Sequence, residues 1–397
     1  SWWSILPTVA GTVCGIAVLR LLASGPIGDA AEDTADTVDP GRRRSLLTLG
    51  LLSAGILTGV AGAVWSRLAA SVAEDRNAFA LPRAAVPAPP VPAAVQPANV
   101  ALPSFITPAA DFYRIDTALS VPQLSRADWQ LRIHGMTDRE ITYRFEDLDR
   151  FEVVESVVTL TCVSNPVGGN LISNADWTGY RVRDLLADAG VSPEADMVLS
   201  TSVDGFTAGT PVDALPAGRD ALLAIGMNGQ PLPTEHGYPA RLVVPGLYGY
   251  VSATKWVTDL ELTRFDRAEA YWTKLGWSAR GPIKTQSRID VPRNGQTVAT
   301  GPVRFGGVAW AQNRGIRGVE VRIDGPDEGR WQAAQLGAAY SAETWRLWSF
   351  DWDAAAPGKH TITVRATDNT GAEQTADLAA PAPDAATARH SVAFQVR

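Results

Sequence analysis

Two long stretches without a charged side chain constrain the N-terminal part of the chain. Residues 1–19 and 45–66 are uncharged and largely apolar, and a helix needs about 20 such residues to cross a bilayer. We therefore predict transmembrane helices over residues 1–22 and 45–67. The loop between them, residues 23–44, ends in an arginine cluster, and the positive-inside rule assigns this loop to the cytoplasm. The chain beyond the second span is then expected on the extracytoplasmic side of the cell membrane.

The arginine cluster also permits a second interpretation. Arg43 and Arg44, followed by Ser45 and two leucines, resemble a twin-arginine export signal, which directs folded proteins across the membrane. Simple positive-inside anchoring explains the same residues. The chain begins at Ser1 within an apolar stretch, so we expect that further sequence once preceded it.

A proline-rich segment follows the predicted spans. Between residues 81 and 103 the chain is almost entirely Ala, Val and Pro, a composition typical of an extended, semi-rigid spacer. We predict that residues 68–103 form a linker that holds the folded part away from the bilayer.

The remaining sequence divides into two parts with different patterns. Residues 104–265 mix predicted strands, such as 153–161 and 197–202, with short helical stretches and long glycine-rich loops. This indicates an α+β domain with functional residues on its loops. Residues 266–397 consist of short strand patterns separated by turns such as Asp324-Gly325, which is typical of an immunoglobulin-like sandwich.

Composition and motifs argue against several functions. A net charge of -7 gives no electrostatic affinity for nucleic acid, and only Cys14 and Cys162 are present, which excludes a disulfide framework. The chain has neither the phosphate-binding nor the dinucleotide-binding glycine motif. Its four histidines lack zinc-ligand spacing. Because the first is His134, the predicted spans cannot bind haem through two histidines, and we read no haem or zinc site.

Cys162 stands in a polar turn with the sequence TCVSNPVGG, over residues 161–169, directly after an apolar strand. A purely structural cysteine is more often found within a strand. The turn instead holds the sulfur at the end of the strand, facing a cleft. We expect a free thiol or a metal ligand there.

A basic, glycine-rich region lies further along the chain. His236, Arg241 and Lys255 are set on predicted loops between glycines. Such residues supply charge-assisted donors that can converge on an anion such as a phosphate, and the glycines let the backbone approach it closely. Taken alone, the same pattern is also that of a solvated loop, and an isolated Arg114 would be a surface ion-pair partner.

Taken together, these motifs resemble the sulfite oxidase family of molybdopterin oxidoreductases. The resemblance covers residues 104–397 and implies an α+β molybdopterin domain followed by an all-β immunoglobulin-like sandwich, which in this family often mediates dimers. The membrane-anchored form resembles exported bacterial members. The segments that carry the resemblance are 161–169, 174–179, 182–186, 236–246, 255–256, 306–310 and 319–325.

The resemblance implies a molybdenum–molybdopterin cofactor with Cys162 as the single protein ligand of the metal. A soft thiolate suits such a site. The implied catalytic residues are Cys162, Arg114 and Arg314, with the arginines attracting an oxyanion substrate. The residues implied to bind the cofactor are Tyr113, Arg114, Cys162, Asn165, Thr201, His236, Arg241 and Lys255.

The implied activity is oxygen-atom transfer on sulfite or a related sulfur or oxyanion compound, with electrons exchanged with an external electron-transfer protein or quinone-linked partner. One segment, residues 271–277, departs from the family pattern because it lacks the tyrosine of an Asp-Tyr-Lys motif. Its Trp272 and Trp277 could favour a sulfoxide-type substrate, reduced rather than oxidised, or could only pack the domain junction. A cofactor-free binding or scaffold protein is the alternative of another class.

Overall fold

The computed structural model describes residues 71–215, 220–325 and 329–397, together with the isolated helical positions Ile16 and Arg20. Apart from those two positions, the predicted spans, the loop between them and the twin-arginine-like motif lie outside the described residues. Within the described ranges, no helix is both long and apolar enough to cross a membrane. The chain divides into two compact units, Ser1–Val72 and Ala73–Arg397, and the fold that follows is that of the second.

The first part of this unit is built on two β-sheets. Its strands are β1 (Gln130–Gly135), β2 (Ile141–Arg144), β3 (Val153–Thr161), β4 (Ile172–Arg181), β5 (Met197–Ser202), β6 (Thr207–Pro211), β7 (Leu222–Met227), β8 (Gln230–Pro231), β9 (Arg241–Val243) and β10 (Val257–Thr263). One sheet has the order β2-β1-β10-β5-β6, with β1 and β10 parallel and the other pairs antiparallel. The other is antiparallel with the order β3-β4-β7-β8, and β9 also pairs with β7. Long connections between these strands carry most of the site described below.

Helices in this part are short. The α-helices are α1 (Ala73–Ala78), α2 (Val182–Ala189) and α3 (Tyr271–Lys274). The 3-10 turns are Ala93–Val95, Ala109–Asp111, Phe145–Arg150, Val212–Ala214, Thr234–His236 and Gly249–Val251. Helix α2 ends at Gly190, whose positive φ of 72° favours glycine. Its buried residues follow the spacing of an amphipathic helix and are Val182, Leu185, Leu186 and Ala189.

The second part is a sandwich of two β-sheets. Its strands are β11 (Gln286–Val291), β12 (Thr297–Val298), β13 (Gly301–Trp310), β14 (Ile316–Asp324), β15 (Gln332–Ala333), β16 (Gln335–Leu336), β17 (Arg346–Ala354), β18 (Gly358–Asp368) and β19 (Ser391–Val396). The sheets have the orders β11-β13-β17-β16 and β12-β19-β18-β14-β15. Alternating side chains such as Trp348 and Phe350 pack in a core with Ile362 and Phe394, as expected of sheets that face each other.

One hydrophobic core joins the two parts. Trp310 and Trp345 of the sandwich belong to the same buried cluster as Leu131 of the first part. The backbone N–H of Trp345 donates to Thr159 Oγ1 (2.8 Å), and its indole Nε1 donates to the carbonyl of Phe105 (3.0 Å). The two domains are therefore packed as one body.

Residues 73–103 pack against the domains, which the prediction of a linker over residues 68–103 did not include. Apart from helix α1 and the 3-10 turn Ala93–Val95 they are extended. The carbonyl of Val86 accepts from the N–H of Glu155 (2.9 Å), and Val95 is only 3% exposed within the shared core. Proline excludes regular helix but leaves the intervening valine and alanine side chains free to pack. We call residues 73–103 the strap.

Candidate active site

Cys162 lies in the connection between β3 and β4. Its backbone N–H donates to Leu171 O (2.9 Å), and its carbonyl accepts from Asn165 N–H (3.1 Å). The thiol is free and the residue is 9% exposed. Burial raises the pKa of the Cys162 thiol, and hydrogen bonds from Ser164 act in the opposite direction. The cofactor-free chain therefore holds a neutral thiol at the end of a strand.

The Cys162 turn lines a cavity of about 870 Å³, a volume that includes its open mouth. Its polar wall includes Asp116, Cys162, Ser164, Ser202, His236, Arg241 and Lys255. Its aromatic wall consists of Phe112, Tyr113, Phe206, Tyr250, Trp256, Trp272 and Trp277. Five of the predicted site residues, separated widely in sequence, thus meet in one cavity: Tyr113, Cys162, His236, Arg241 and Lys255.

Arg241 is the most deeply buried cation of this cavity wall. It opens β9, is 5% exposed and donates to the carbonyls of His236 (3.1 Å) and Ala253 (3.2 Å). Its guanidinium lies 5.0 Å from the ring centroid of Trp177. No carboxylate in the described parts of the chain forms an ion pair with it, and burial lowers the pKa of Arg241 to about 10. A buried charge without a counter-charge is costly, so this site is suited to an anionic ligand.

The carboxylate of Asp116 pairs with two other cations, Arg114 and Lys255. Asp116, with a side chain 9% exposed, accepts hydrogen bonds from Lys255 Nζ and from Arg114 Nε, the latter at 2.5 Å. Lys255 Nζ also donates to the carbonyl of Glu235 (3.1 Å). Burial, followed by the positive charge of Arg114, lowers the pKa of Lys255 to about 7. Two cations thus share one carboxylate, which leaves net positive charge at this wall when both are protonated.

His236 and Tyr113 are neutral polar groups of the cavity wall. His236 is 4% exposed, its Nε2 lies 3.1 Å from the carbonyl of Ala109, and burial, then Arg241, lowers its pKa. Tyr113 stacks on Phe112 with ring centroids 5.4 Å apart. Burial, then the charge of Cys162, raises the pKa of Tyr113. The imidazole and the phenol are therefore uncharged at neutral pH.

Known proteins share this architecture. Residues 118–272 match the family of the oxidoreductase molybdopterin binding domain, and residues 286–364 match the bacterial Ig domain. Human mitochondrial sulfite oxidase is 30% identical over 299 residues, which cover 64% of this chain and 54% of that protein. The uncharacterized oxidoreductase YuiH of Bacillus subtilis is 35% identical over 153 residues, 38% of this chain and 74% of that protein. This chain belongs to the sulfite oxidase family of molybdopterin-dependent oxidoreductases.

A solved structure extends the likeness of this sulfite oxidase family member to its three-dimensional fold. The crystal structure of the sulfane dehydrogenase SoxCD from Paracoccus pantotrophus matches it with a TM-score of 0.58 and 27% identity, covering 68% of this chain and 74% of that chain. The predicted order of a molybdopterin domain followed by an immunoglobulin-like domain is thereby confirmed. The chain spans about half the length of the curated sulfite oxidases it matches, 54% of the human protein.

The cavity of this family member fits the family's molybdopterin cofactor. The Cys162 thiol on its wall is a soft donor of the type that such a metal site uses. Arg241 is buried without a carboxylate partner in the described residues, and Lys255 lines the same wall. A phosphate-bearing ligand would supply the counter-charge that Arg241 lacks, and Lys255, already paired with Asp116, would add a second charge-assisted donor.

Two predicted site residues of this sulfite oxidase family member lie outside the cavity. Arg314 Nε pairs with Asp368 (2.8 Å), a carboxylate 1% exposed, and its terminal nitrogen donates to the carbonyl of Ile283 (2.9 Å). With this internal pairing Arg314 does not line the cavity, and its role at the substrate site stays a prediction. Thr201 does not line it either, because side chains alternate along a strand and the neighbouring Ser202 of β5 faces the cavity.

Arg114 and Asn165 lie beside the cavity wall rather than on it. The Arg114 side chain is 44% exposed and reaches the cavity through its pairing with Asp116. The Asn165 side chain accepts from Leu171 N–H through Oδ1 (2.9 Å). Arg114 is thus placed to adjust the charge of the site, and Asn165 closes the turn after Cys162.

Asp116 and Ser202 are among the polar residues of the cavity wall that sequence reasoning missed. Asp116 follows Arg114 by two positions, and a carboxylate so near a predicted cation was the available signal. Ser202 Oγ is buried without a hydrogen-bond partner among the described residues, a feature that no sequence pattern reveals. An unpaired buried hydroxyl on a cavity wall can meet a ligand atom at little cost, because it gives up no existing bond.

The two tryptophans of the departing segment both line the cavity and pack against the shared core. Trp272 and Trp277 line the cavity, and their rings contact each other with centroids 6.2 Å apart. Both also pack against the shared core. The wall of the cavity is therefore partly aromatic where they contribute to it.

Proposed function

We propose that this protein transfers an oxygen atom at a sulfur centre, using a molybdopterin cofactor bound in the Cys162 cavity. The observation that carries the proposal is the convergence of a free thiol with Arg241, a buried cation without a counter-charge among the described residues. The substrate class is sulfite or a related sulfur compound. The names of two relatives, sulfite oxidase and sulfane dehydrogenase, support a sulfur compound as substrate.

The chain's own residues would hold the cofactor and set its position. When bound, the molybdenum cofactor supplies oxygen-atom transfer coupled to a two-electron change at the metal. Cys162 would ligate the metal, and because burial raises the pKa of its thiol, ligation must release a proton. Arg241 and Lys255 would bind the cofactor phosphate through charge-assisted hydrogen bonds. His236, uncharged at neutral pH, has its single ring N–H directed at the carbonyl of Ala109, so its other ring nitrogen would accept a hydrogen bond from the ligand.

A second candidate is reduction of a sulfoxide-type substrate in the same cavity. Trp272 and Trp277 make part of the wall apolar, which suits an uncharged organic group. The pairing of Arg314 with Asp368 also removes one of the two arginines expected to attract an oxyanion. Arg114 remains as the exposed cation beside the cavity, and it already shares Asp116 with Lys255.

We also propose the surroundings in which the enzyme works. The uncharged stretches 1–22 and 45–67 and the intervening arginines support a membrane-tethered protein with its catalytic part on the extracytoplasmic side. Electrons would be exchanged with an external electron-transfer protein or a quinone-linked partner. The immunoglobulin-like domain would be available for homodimer formation.

Metal analysis of the full chain tests the proposed function. Protein purified from a host that makes the cofactor should contain molybdenum and pterin in about equal amounts. The Cys162→Ser variant should lose most of the metal and at least about 100-fold in activity, because its only proposed protein ligand is removed. Cys14→Ser, the chain's other cysteine, is the matched control and should retain both.

Two assays separate the substrate candidates. Sulfite-dependent reduction of an acceptor supports the first, and sulfoxide-dependent oxidation of an artificial donor supports the second. Wild-type protein that contains neither molybdenum nor pterin would support the cofactor-free scaffold instead. Wild-type activity in Cys162→Ser would refute the ligand assignment.

A further inference from the structure

The immunoglobulin-like domain contacts the chain on the N-terminal side of Cys162. Gln312, between β13 and β14, is fully buried. Its amide Nε2 donates to the carbonyl of Thr159 (3.1 Å) and to Thr161 Oγ1 (3.2 Å). The last residues of β3 before the thiol are thus fixed from the other domain.

The same domain contacts the turn on the C-terminal side of Cys162. Arg288 of β11 is 8% exposed, and its NH1 nitrogen donates to the carbonyl of Gly169 (2.8 Å). Its Nε lies 2.9 Å from Asp290 of the same strand, which holds the guanidinium in place. A single side chain of the sandwich thereby fixes the end of the TCVSNPVGG turn.

The imidazole ring of His390 lies against the TCVSNPVGG turn at Gly168. Its Nδ1 accepts from the backbone N–H of Ile289 (3.0 Å), so the ring is anchored to β11. Gly168, with a positive φ of 76°, lies so close that an added Cβ would be 2.2 Å from the ring Nε2. Only glycine fits between the turn and this ring.

We propose that Arg288, Gln312 and His390 are positioning residues that set the orientation of the Cys162 thiol from the immunoglobulin-like domain. The bonds within the turn join it only to itself: Cys162 N–H to Leu171 O, Asn165 N–H to Cys162 O, Gly169 N–H to Pro166 O and Leu171 N–H to Asn165 Oδ1. Contacts from the immunoglobulin-like domain are therefore what attach this glycine-rich connection to the rest of the molecule, and their loss should let it open more often. The inference rests on the proposed function in one respect, that Cys162 is the metal ligand.

Alkylation of Cys162 in the cofactor-free full chain tests the positioning directly. In a Cys14→Ser background, a neutral maleimide can react only with Cys162, whose rate reports how often the turn opens. Arg288→Met and Gln312→Leu should each raise this rate about five-fold or more, because each removes a contact that holds the turn closed. Thermal unfolding is measured in parallel to verify that each variant is folded.

Arg346→Met is the matched control. Arg346 also donates to backbone carbonyls, those of Gly337 (2.9 Å) and Ile316 (2.8 Å), but both acceptors lie within the immunoglobulin-like domain. Its removal should leave the alkylation rate of Cys162 unchanged. Rates for Arg288→Met and Gln312→Leu equal to that of Arg346→Met in folded proteins would overturn the inference.

Gly168→Ala gives a second test that does not depend on a buried charge. The added methyl group meets the His390 ring, so in the Cys14→Ser chain the substitution should raise the alkylation rate more when His390 is present than in a His390→Ala background, where only the strain of the positive φ remains. Such coupling identifies a direct contact. Equal effects in the two backgrounds would contradict the role of His390.

The holoenzyme allows two further measurements that a loss of stability alone would not change. Arg288→Met should shift or broaden the electron paramagnetic resonance signal of the one-electron-reduced metal centre. It should also lower kcat with little change in KM, since the proposed metal ligand is displaced and the substrate site is not. An unchanged signal and kcat would count against the inference. If the wild-type chain proved free of molybdenum, the proposed function would fail, whereas the alkylation rates would still decide whether the domain holds the turn.

Discussion

At Lys255, burial and a neighbouring carboxylate shift the pKa of the side chain in opposite directions. Burial lowers its pKa to about 7, whereas the Asp116 carboxylate that it contacts favours the charged form. Its ammonium also lies 4.8 Å from the ring centroid of Trp256. A bound phosphate would add a second negative charge nearby and hold the proton on Lys255. The residue is therefore suited to respond to the arrival of an anion.

Replacing this lysine should weaken cofactor binding. In Lys255→Met the aliphatic stem remains but a charge-assisted hydrogen bond is lost, an interaction worth about 1.5–3 kcal/mol, or roughly 10- to 100-fold in affinity. Pterin fluorescence and molybdenum content per chain measure the effect. Lys284→Met is the control, because Lys284 pairs with Asp384 (3.1 Å) and does not line the cavity. Equal occupancy in the two variants would exclude Lys255 from the binding site.

Sequence motifs identified candidate site residues better than they identified the side chains with which those residues pair. Cys162 and Arg241 were found because the residue types and glycine spacing around them have a chemical meaning. The pairing of Arg314 with Asp368 could not be predicted, because Asp368 lies 54 positions away and no local pattern reveals such a pairing. The sequence also did not show that Ser202 rather than Thr201 lines the cavity, since one step along a strand exchanges the two faces of a sheet.

Among the secondary-structure elements, strand β4 contains a carboxylate, that of Asp176, whose ionised form is unfavourable in the folded protein. Asp176 is paired in register with Val157 of β3, and its Oδ1 is buried with no hydrogen-bond partner among the described residues. Burial, followed by the negative charge of Glu155, raises the pKa of Asp176 to about 6. At neutral pH the folded strand therefore bears a charge that the environment disfavours.

Asp176→Asn should stabilise the protein at neutral pH but not in acid. The unfolded chain loses this proton near pH 3.8, and the native state retains it up to about pH 6. The wild type is therefore penalised progressively as the pH rises between these values, by about 1–3 kcal/mol once the partial exposure is considered. The expected gain in free energy of unfolding is of this size at pH 7.5 and small at pH 4, as measured by urea denaturation.

The exposed Asp353 of β17 provides the comparison for this prediction. Asp353→Asn removes the same charge from a strand without relieving burial, so it should give little gain at either pH. A gain in Asp176→Asn that was equal at pH 7.5 and pH 4 would show that the carboxylate charge is not its cause.

Elements differ in how much of their structure is encoded locally. The expected strands 153–161 and 197–202 coincide with β3 and β5, because a run of apolar or alternating residues is enough to define a buried strand. Residues 81–103 of the strap were predicted to be extended, and apart from the 3-10 turn Ala93–Val95 they are, but their packing was not predicted. Proline content determines the backbone shape, whereas the surface that covers Val95 is supplied by distant parts of the chain.

At the scale of the whole molecule, the strap and both domains contribute to one hydrophobic core. Val95 of the strap, Leu131 of the first domain and Trp345 of the second belong to the same buried cluster. Neither domain can unfold without exposing part of the other. The contacts proposed to hold the Cys162 turn cross this same boundary, so the stability of the core and the geometry of the thiol are linked.

Calorimetry of the cofactor-free full chain should therefore show one unfolding transition for the strap and the two domains. Trp345→Ala removes a side chain that is 2% exposed, at an expected cost of about 3–5 kcal/mol, and the transition should move to lower temperature without splitting. Trp331→Ala is the matched substitution, because Trp331 packs against arginines of the immunoglobulin-like domain such as Arg365, 4.3 Å from its ring centroid. Its effect should be smaller. Two separate transitions in Trp345→Ala or in the wild type would mean that the domains fold independently, and the shared core would then not couple them.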